Sequence, residues 1–143
     1  MFVPRETIYA ALFAKFSALA GFVTVSRRLQ HWDDVPPALQ PALFIAQRSE
    51  SVSYTPGLNP VYVMELDLYL YAHAGGTSTS VASSVMNPLV DAVLNAIKPD
   101  PVTNKQTLGG LVEYCLFEGR MQTDEGQLGD QAVTIIPISM KST

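Results

Sequence analysis

The stretch from Val61 to Ala72, VYVMELDLYLYA, alternates without a break. Tyr62, Met64, Leu66, Leu68 and Leu70 fall on one side of an extended chain, and Val63, Glu65, Asp67, Tyr69 and Tyr71 on the other, because successive side chains of a strand point to opposite faces. A slip of one residue would exchange an apolar face for one carrying two carboxylates, so the register is tightly specified. The segment reads as a strand whose first face lies in the core. Its second face mixes two acids with two tyrosines. That mixture suits a wet, polar contact between subunits, and it equally suits a solvated face on which tyrosines cover neighbouring strands.

Outward toward the N-terminus, Ile8, Leu12, Phe16 and Leu19 recur at helical spacing, with Tyr9 and Phe13 widening the stripe. Pro4 suits a first turn, Glu6 the positive end of the dipole, and Gly21 a left-handed exit, so a helix is expected over residues 5–20. Phe22 to Leu29 then alternates as a strand, and the prolines at 36, 37 and 41 forbid regular pairing. Ala42 to Arg48 reads as a second strand. Ser49 to Pro60, SESVSYTPGLNP, carries turn chemistry and reads as a mobile loop.

Outward in the other direction, Gly75 to Ser80 is a glycine- and hydroxyl-rich lead-in to Ala82, Val85, Met86, Leu89, Val93 and Ile97 at helical spacing. Pro88 either kinks a helix over residues 80–97 or opens a shorter one capped by Asn87, and the longer helix is favoured. Leu111 to Gln122 and Gln131 to Met140 read as a hairpin joined by Thr123-Asp124-Glu125-Gly126 and Gly129. The element order implies an α+β fold: a largely antiparallel or mixed sheet of four to five strands with two helices on one face.

The 143 residues suit one domain, spanning 1–143, with a core large enough to need no disulfide or structural metal. The lone Cys115 allows no internal disulfide, and the absence of a signal-like N-terminus or glycosylation acceptor points to a reducing host compartment. No apolar run approaches the ~18 residues a membrane span requires. A net charge of -4 argues against non-specific nucleic-acid binding.

Reactive constellations are missing. The phosphate loop, the dinucleotide fingerprint, the zinc-protease helix and the nucleophile elbow do not occur. Gly75-Gly76-Thr77 lacks the lysine that would make it a phosphate cradle. His31 and His73 have no second ligand at metal spacing. His31 beside Asp33 and Asp34 reads as a solvated turn before prolines, and Cys115 as a small hydrophobe with no cationic neighbour in sequence. Asp124, Glu125 and Asp130 fit neither a carboxylate pair nor a calcium loop. Arg27, Arg28 and Arg48 are expected in local ion pairs. No catalytic, metal or cofactor residue is assigned, and the chain is expected not to be an enzyme.

The C-terminal half carries a resemblance. Asn87-Pro88-Leu89-Val90-Asp91-Ala92-Val93, the Lys98-Pro99-Asp100-Pro101 turn, Gln106 to Val112, and Thr123 to Gln131 followed by Ala132 to Ile138 resemble small tail proteins of long-tailed bacteriophages. Most similar is the tail terminator or tail-completion group of minor tail proteins. The resemblance implies a homo-oligomeric ring, usually a hexamer, that caps the tail tube, ends its polymerisation and provides the surface for head joining. Its implied partners are itself, the major tail tube protein and a head-tail connector protein, with DNA only passing through the lumen, no membrane and no cofactor. The implied location is the virion tail, reached from the host cytoplasm during assembly. A sphere of this chain length is roughly 37 Å across. Six such spheres in a ring leave a hole of similar width, enough for a duplex roughly 20 Å thick.

On this reading Glu65, Asp67, Tyr69, Tyr71, Glu113 and Glu118 are the candidate subunit or lumen face. Tyr54, Leu58, Asn59, Thr77 and Ser78 are the candidate tube- or connector-contacting loop residues. Two alternatives remain: another connector component, such as a stopper or head-completion protein, and a small-ligand-binding or enzymatic α+β domain with a pocket at His31, Asp33 and Tyr71.

Overall fold

A computed structural model describes residues 3–75 and 81–142. In chain order these form α1 (Arg5–Ser17), β1 (Thr24–Ser26), β2 (Ala42–Ser53), β3 (Val61–His73), α2 (Ala82–Ala96), β4 (Tyr114–Phe117), β5 (Gln122–Leu128) and β6 (Gln131–Ser142). Six strands make one mixed sheet in the order β1-β2-β3-β6-β4, with β5 also paired to β6. Among the described residues only the β1–β2 pair is parallel.

The alternation of β3 is realised in full. Met64, Leu66, Leu68 and Leu70 are at most 1% exposed. They pack with Leu43 and Ile45 of β2, Ile136, Ile138 and Met140 of β6, and with both helices through Ile8, Leu12, Phe16, Met86 and Val93. The two helices therefore cover one face of the sheet, as the pattern predicts. α1 ends three residues before its expected limit, and Gly21 turns the chain at φ 98°. α2 runs through Pro88, so the longer of the two readings holds.

Three boundaries differ from expectation. The expected strand over Phe22 to Leu29 contracts to Thr24–Ser26, because only Ala42–Phe44 of β2 is on offer to it as a partner and the Arg28 amide turns back to the Ser26 hydroxyl. β2 continues to Ser53, where Ser49 to Pro60 reads as loop. The ladder from Ser49↔Glu65 to Ser53↔Val61 overrides the weak strand preference of its serines, leaving the loop at residues 54–60.

The last correction concerns the C-terminal hairpin. One expected strand over Leu111 to Gln122 becomes two, β4 and β5, both laid along the same edge of β6. Phe117 pairs with Ile138 and Gln122 with Ile135, so residues 118–121 stand opposite only 136 and 137. Pro137 explains the break. Its carbonyl accepts the Glu118 amide at 3.2 Å, and since both backbone polar groups of an antiparallel residue face one neighbour, the N–H that proline lacks is missing on that side. Gly119, at φ 122°, carries the chain across the gap, where a Cβ would stand 3.1 Å from Pro137 Cγ. β5 then runs through the expected turn residues Thr123 to Gly126, and Gly129 and Asp130 reverse the chain instead.

Candidate interaction face

The sheet face turned away from the helices is divided. At one end a small apolar cluster of Val35, Ala42, Phe44 and Tyr71 lies beneath the loop bearing Trp32. Gln40 and Gln131, 7% and 6% exposed, pin that loop with reciprocal amide bonds of 2.8 and 3.0 Å. Tyr71 is closed off here. It is 5% exposed, its hydroxyl donates to the Gln30 carbonyl at 2.7 Å, and burial pushes its phenol up to about 12. Of the candidate face it is the member that a partner cannot reach on the single chain.

The other end is open. Glu65, Asp67, Tyr69 and Glu118 line a cavity of about 590 Å³ together with Arg48 and Arg120. The structure thus brings together four of the six candidate face residues. Arg48 owes its place to a β-bulge: the register steps from Gln47↔Leu66 to Ser49↔Glu65, so Arg48 is the extra residue that no partner faces. Its guanidinium reaches Glu65 at 3.2 Å and Asp67 at 3.3 Å, and the Ser49 hydroxyl donates to Glu65 at 2.9 Å. Two like charges two residues apart on a strand face are thereby bridged. With three acids and two arginines, the face is nearly neutral.

Glu113 lies off this cavity, paired with Lys141 at 3.4 Å beside the β4 edge. Tyr54 and Leu58, both 67% exposed, and the exposed Asn59 sit at the tip of the β2–β3 hairpin. Thr77 and Ser78 lie outside the described residues. Of the three arginines expected in local ion pairs, Arg27 pairs with Glu6 and Arg48 with Glu65 and Asp67 of β3, while Arg28 is in no ion pair among the described residues.

The residues of the alternative ligand pocket are engaged in structure. His31 Nδ1 accepts the Asp33 amide at 3.2 Å, capping a short turn, and Tyr71 is tied to Gln30. Cys115 is buried and pushed up to about 12 by desolvation, far from the thiolate range. Among the described residues no group of three or more His, Cys, Asp and Glu is placed to hold a metal ion, and no helix is long and apolar enough to cross a membrane.

Sequence reasoning expected Arg48 in an ion pair without naming its partners, and it missed Arg120 altogether. The only signal for Arg48 was the odd residue count between two alternating segments. Glu118-Gly119-Arg120 ahead of a proline-containing partner strand was the signal for the other.

No family model and no curated protein sequence matches this chain. A chain from the structure described as the virion of a native gene transfer agent particle superposes with a TM-score of 0.55 at 12% identity, covering 92% of this chain and 91% of that one. At that identity the likeness is one of fold, and it extends over nearly the whole of both chains.

Proposed function

We propose that this chain is a structural subunit of a phage-like virion and acts there as a tail terminator. It forms a homo-oligomeric ring of six, caps the tail tube, ends its polymerisation and offers the surface to which the head joins. The observation that carries the reading is the whole-chain likeness in fold to a virion chain, which agrees with the tail-protein character of the C-terminal half. The sheet adds a physical reason for assembly. β1 covers only three residues of β2, and β4 and β5 leave their outer edges unpaired by any strand among the described residues. Exposed edges of this kind are pairing surfaces unless another chain covers them. The role needs no chemistry, and the protein is proposed to work without a catalytic residue.

Electron microscopy of the purified chain, followed by its addition to polymerising tube protein, tests the reading. Six-fold rings with an open centre that halt tube growth are expected. A compact monomer that leaves tube length unchanged refutes it.

A further inference from the structure

Two clusters of opposite charge stand in this chain too far apart to reach each other. Of its nine Lys and Arg residues, Lys15, Lys98 and Lys105 line one open cavity of about 830 Å³. It lies between the ends of α1 and α2 and the loop over residues 98–107. None of the three is ion-paired among the described residues. The one acid in the wall, Asp100, is occupied by the amides of Val102 and Thr103 at 2.7 and 3.3 Å. The loop is firmly built: the Asp100 amide donates to the Lys105 carbonyl at 2.9 Å, and the Cys115 amide to the Gln106 carbonyl at 2.8 Å.

The opposite cluster is the β5–β6 hairpin. It bears Asp124, Glu125 and Asp130, and no Lys or Arg occurs from Met121 to Met140. None of these acids is in an ion pair among the described residues, and Asp124 Oδ1 is buried without a hydrogen-bond partner.

Their separation follows from the register. The lysine loop is tied to Cys115, which faces Met140 and through it Met64 near the start of β3. The acidic turn is tied to the end of β3, where the Ala74 amide donates to the Asp130 carbonyl at 2.6 Å. From residue 64 to 74 an extended chain spans roughly 33 Å, several Debye lengths at physiological salt. One chain cannot satisfy both clusters. A second copy set head to tail can, and such a contact between unlike surfaces closes into a ring when the rotation permits.

We propose that the lysine cavity of one subunit receives the acidic β5–β6 hairpin of the next, and that this contact sets the direction and closure of the ring. The inference rests on the ring reading above and names its surfaces. A second copy is favoured over a phosphate backbone because the complementary charge, the exposed Glu125 and Asp130 for the exposed Lys98 and Lys105, is present in the same chain.

The test uses residues that are exposed in the free chain. Lys98→Glu with Lys105→Glu makes one variant, and Glu125→Lys with Asp130→Lys the other, each checked for native circular dichroism and thermal midpoint. Sedimentation should show the concentration for half-assembly raised by at least about tenfold in either variant alone. Mixed one to one, the two restore every contact in an alternating ring and should assemble near the wild-type concentration. Variants that assemble like the wild type, or a mixture that stays dissociated, overturn the inference and leave the ring reading standing. Loss of binding to a short DNA duplex in the lysine variant, with assembly unchanged, also overturns it and assigns the lysines to phosphate. A wild-type chain that is monomeric at every concentration removes both.

Discussion

Replacing Gln131 by Leu should cost about 2–4 kcal/mol of stability, and the size follows from the atoms it strands. In the native chain Gln131 Nε2 donates to Gln40 Oε1 at 3.0 Å and to the Ala132 and Ala72 carbonyls at 2.9 and 3.3 Å, while Gln40 Nε2 donates to Gln131 Oε1 at 2.8 Å and to the Val35 carbonyl at 2.9 Å. The leucine removes the donor to a buried acceptor, at about 1–3 kcal/mol for the orphaned group and about 1 kcal/mol for the lost bond. Gln40→Leu strands Gln131 Oε1 by the same logic and should cost a similar amount. The double replacement removes both members of the pair and leaves only backbone carbonyls to be satisfied elsewhere. It should cost about 2–3 kcal/mol in all, well short of the sum. Urea unfolding followed by the single tryptophan, Trp32, is the assay, because that residue rides on the pinned loop. Each single variant should lower the midpoint by about 1 M. If the two losses add to within about 0.5 kcal/mol, the amides are not coupled, and the loop is held over Phe44 and Tyr71 by apolar packing alone.

Gly119→Ala should lower stability by roughly 2 kcal/mol and the thermal midpoint by about 6 °C, since it combines a φ of 122° with a Cβ 3.1 Å from Pro137; an unchanged midpoint would show that the β4–β5 gap is pliable. Cys115 gives a pH signature. Its thiol is raised from 9.0 to about 12, so above pH 9 the unfolded chain has lost a proton that the folded chain keeps. Its contribution is intact below pH 9 and is lost as the pH rises toward 12, at about 1.4 kcal/mol per pH unit. Cys115→Ala should flatten that slope, and parallel curves for the two proteins would refute the assignment. Tyr54→Ser with Leu58→Ser, at 67% exposure each, should move stability by no more than about 0.5 kcal/mol while weakening tube capture in a co-sedimentation assay. Normal capture would remove the hairpin tip from the contact.

The fold was legible where the period of the sequence matches the period of the element. β3 and the buried stripes of both helices follow from spacing alone, because each buries one face against a continuous core. What escaped was set by partners distant in sequence. β2 gains its last residues from a ladder with β3, a tertiary term that composition cannot carry. The division of β4 from β5 depends on a proline about twenty residues downstream, whose effect appears only when the strands are laid side by side. The candidate face was half legible for the same reason. Alternation placed Glu65, Asp67 and Tyr69 together, but whether Tyr71 is open depends on a loop that folds back over it, and whether the acids are bare depends on a bulge that redirects Arg48. Under the function proposed above, the open face is one that meets another protein surface. Glu65 and Asp67 are held in fixed positions by Arg48, and fixed, paired charges give a contact register with little gain in raw affinity. A ring that must close at one size and face one way along a tube needs those properties from each interface.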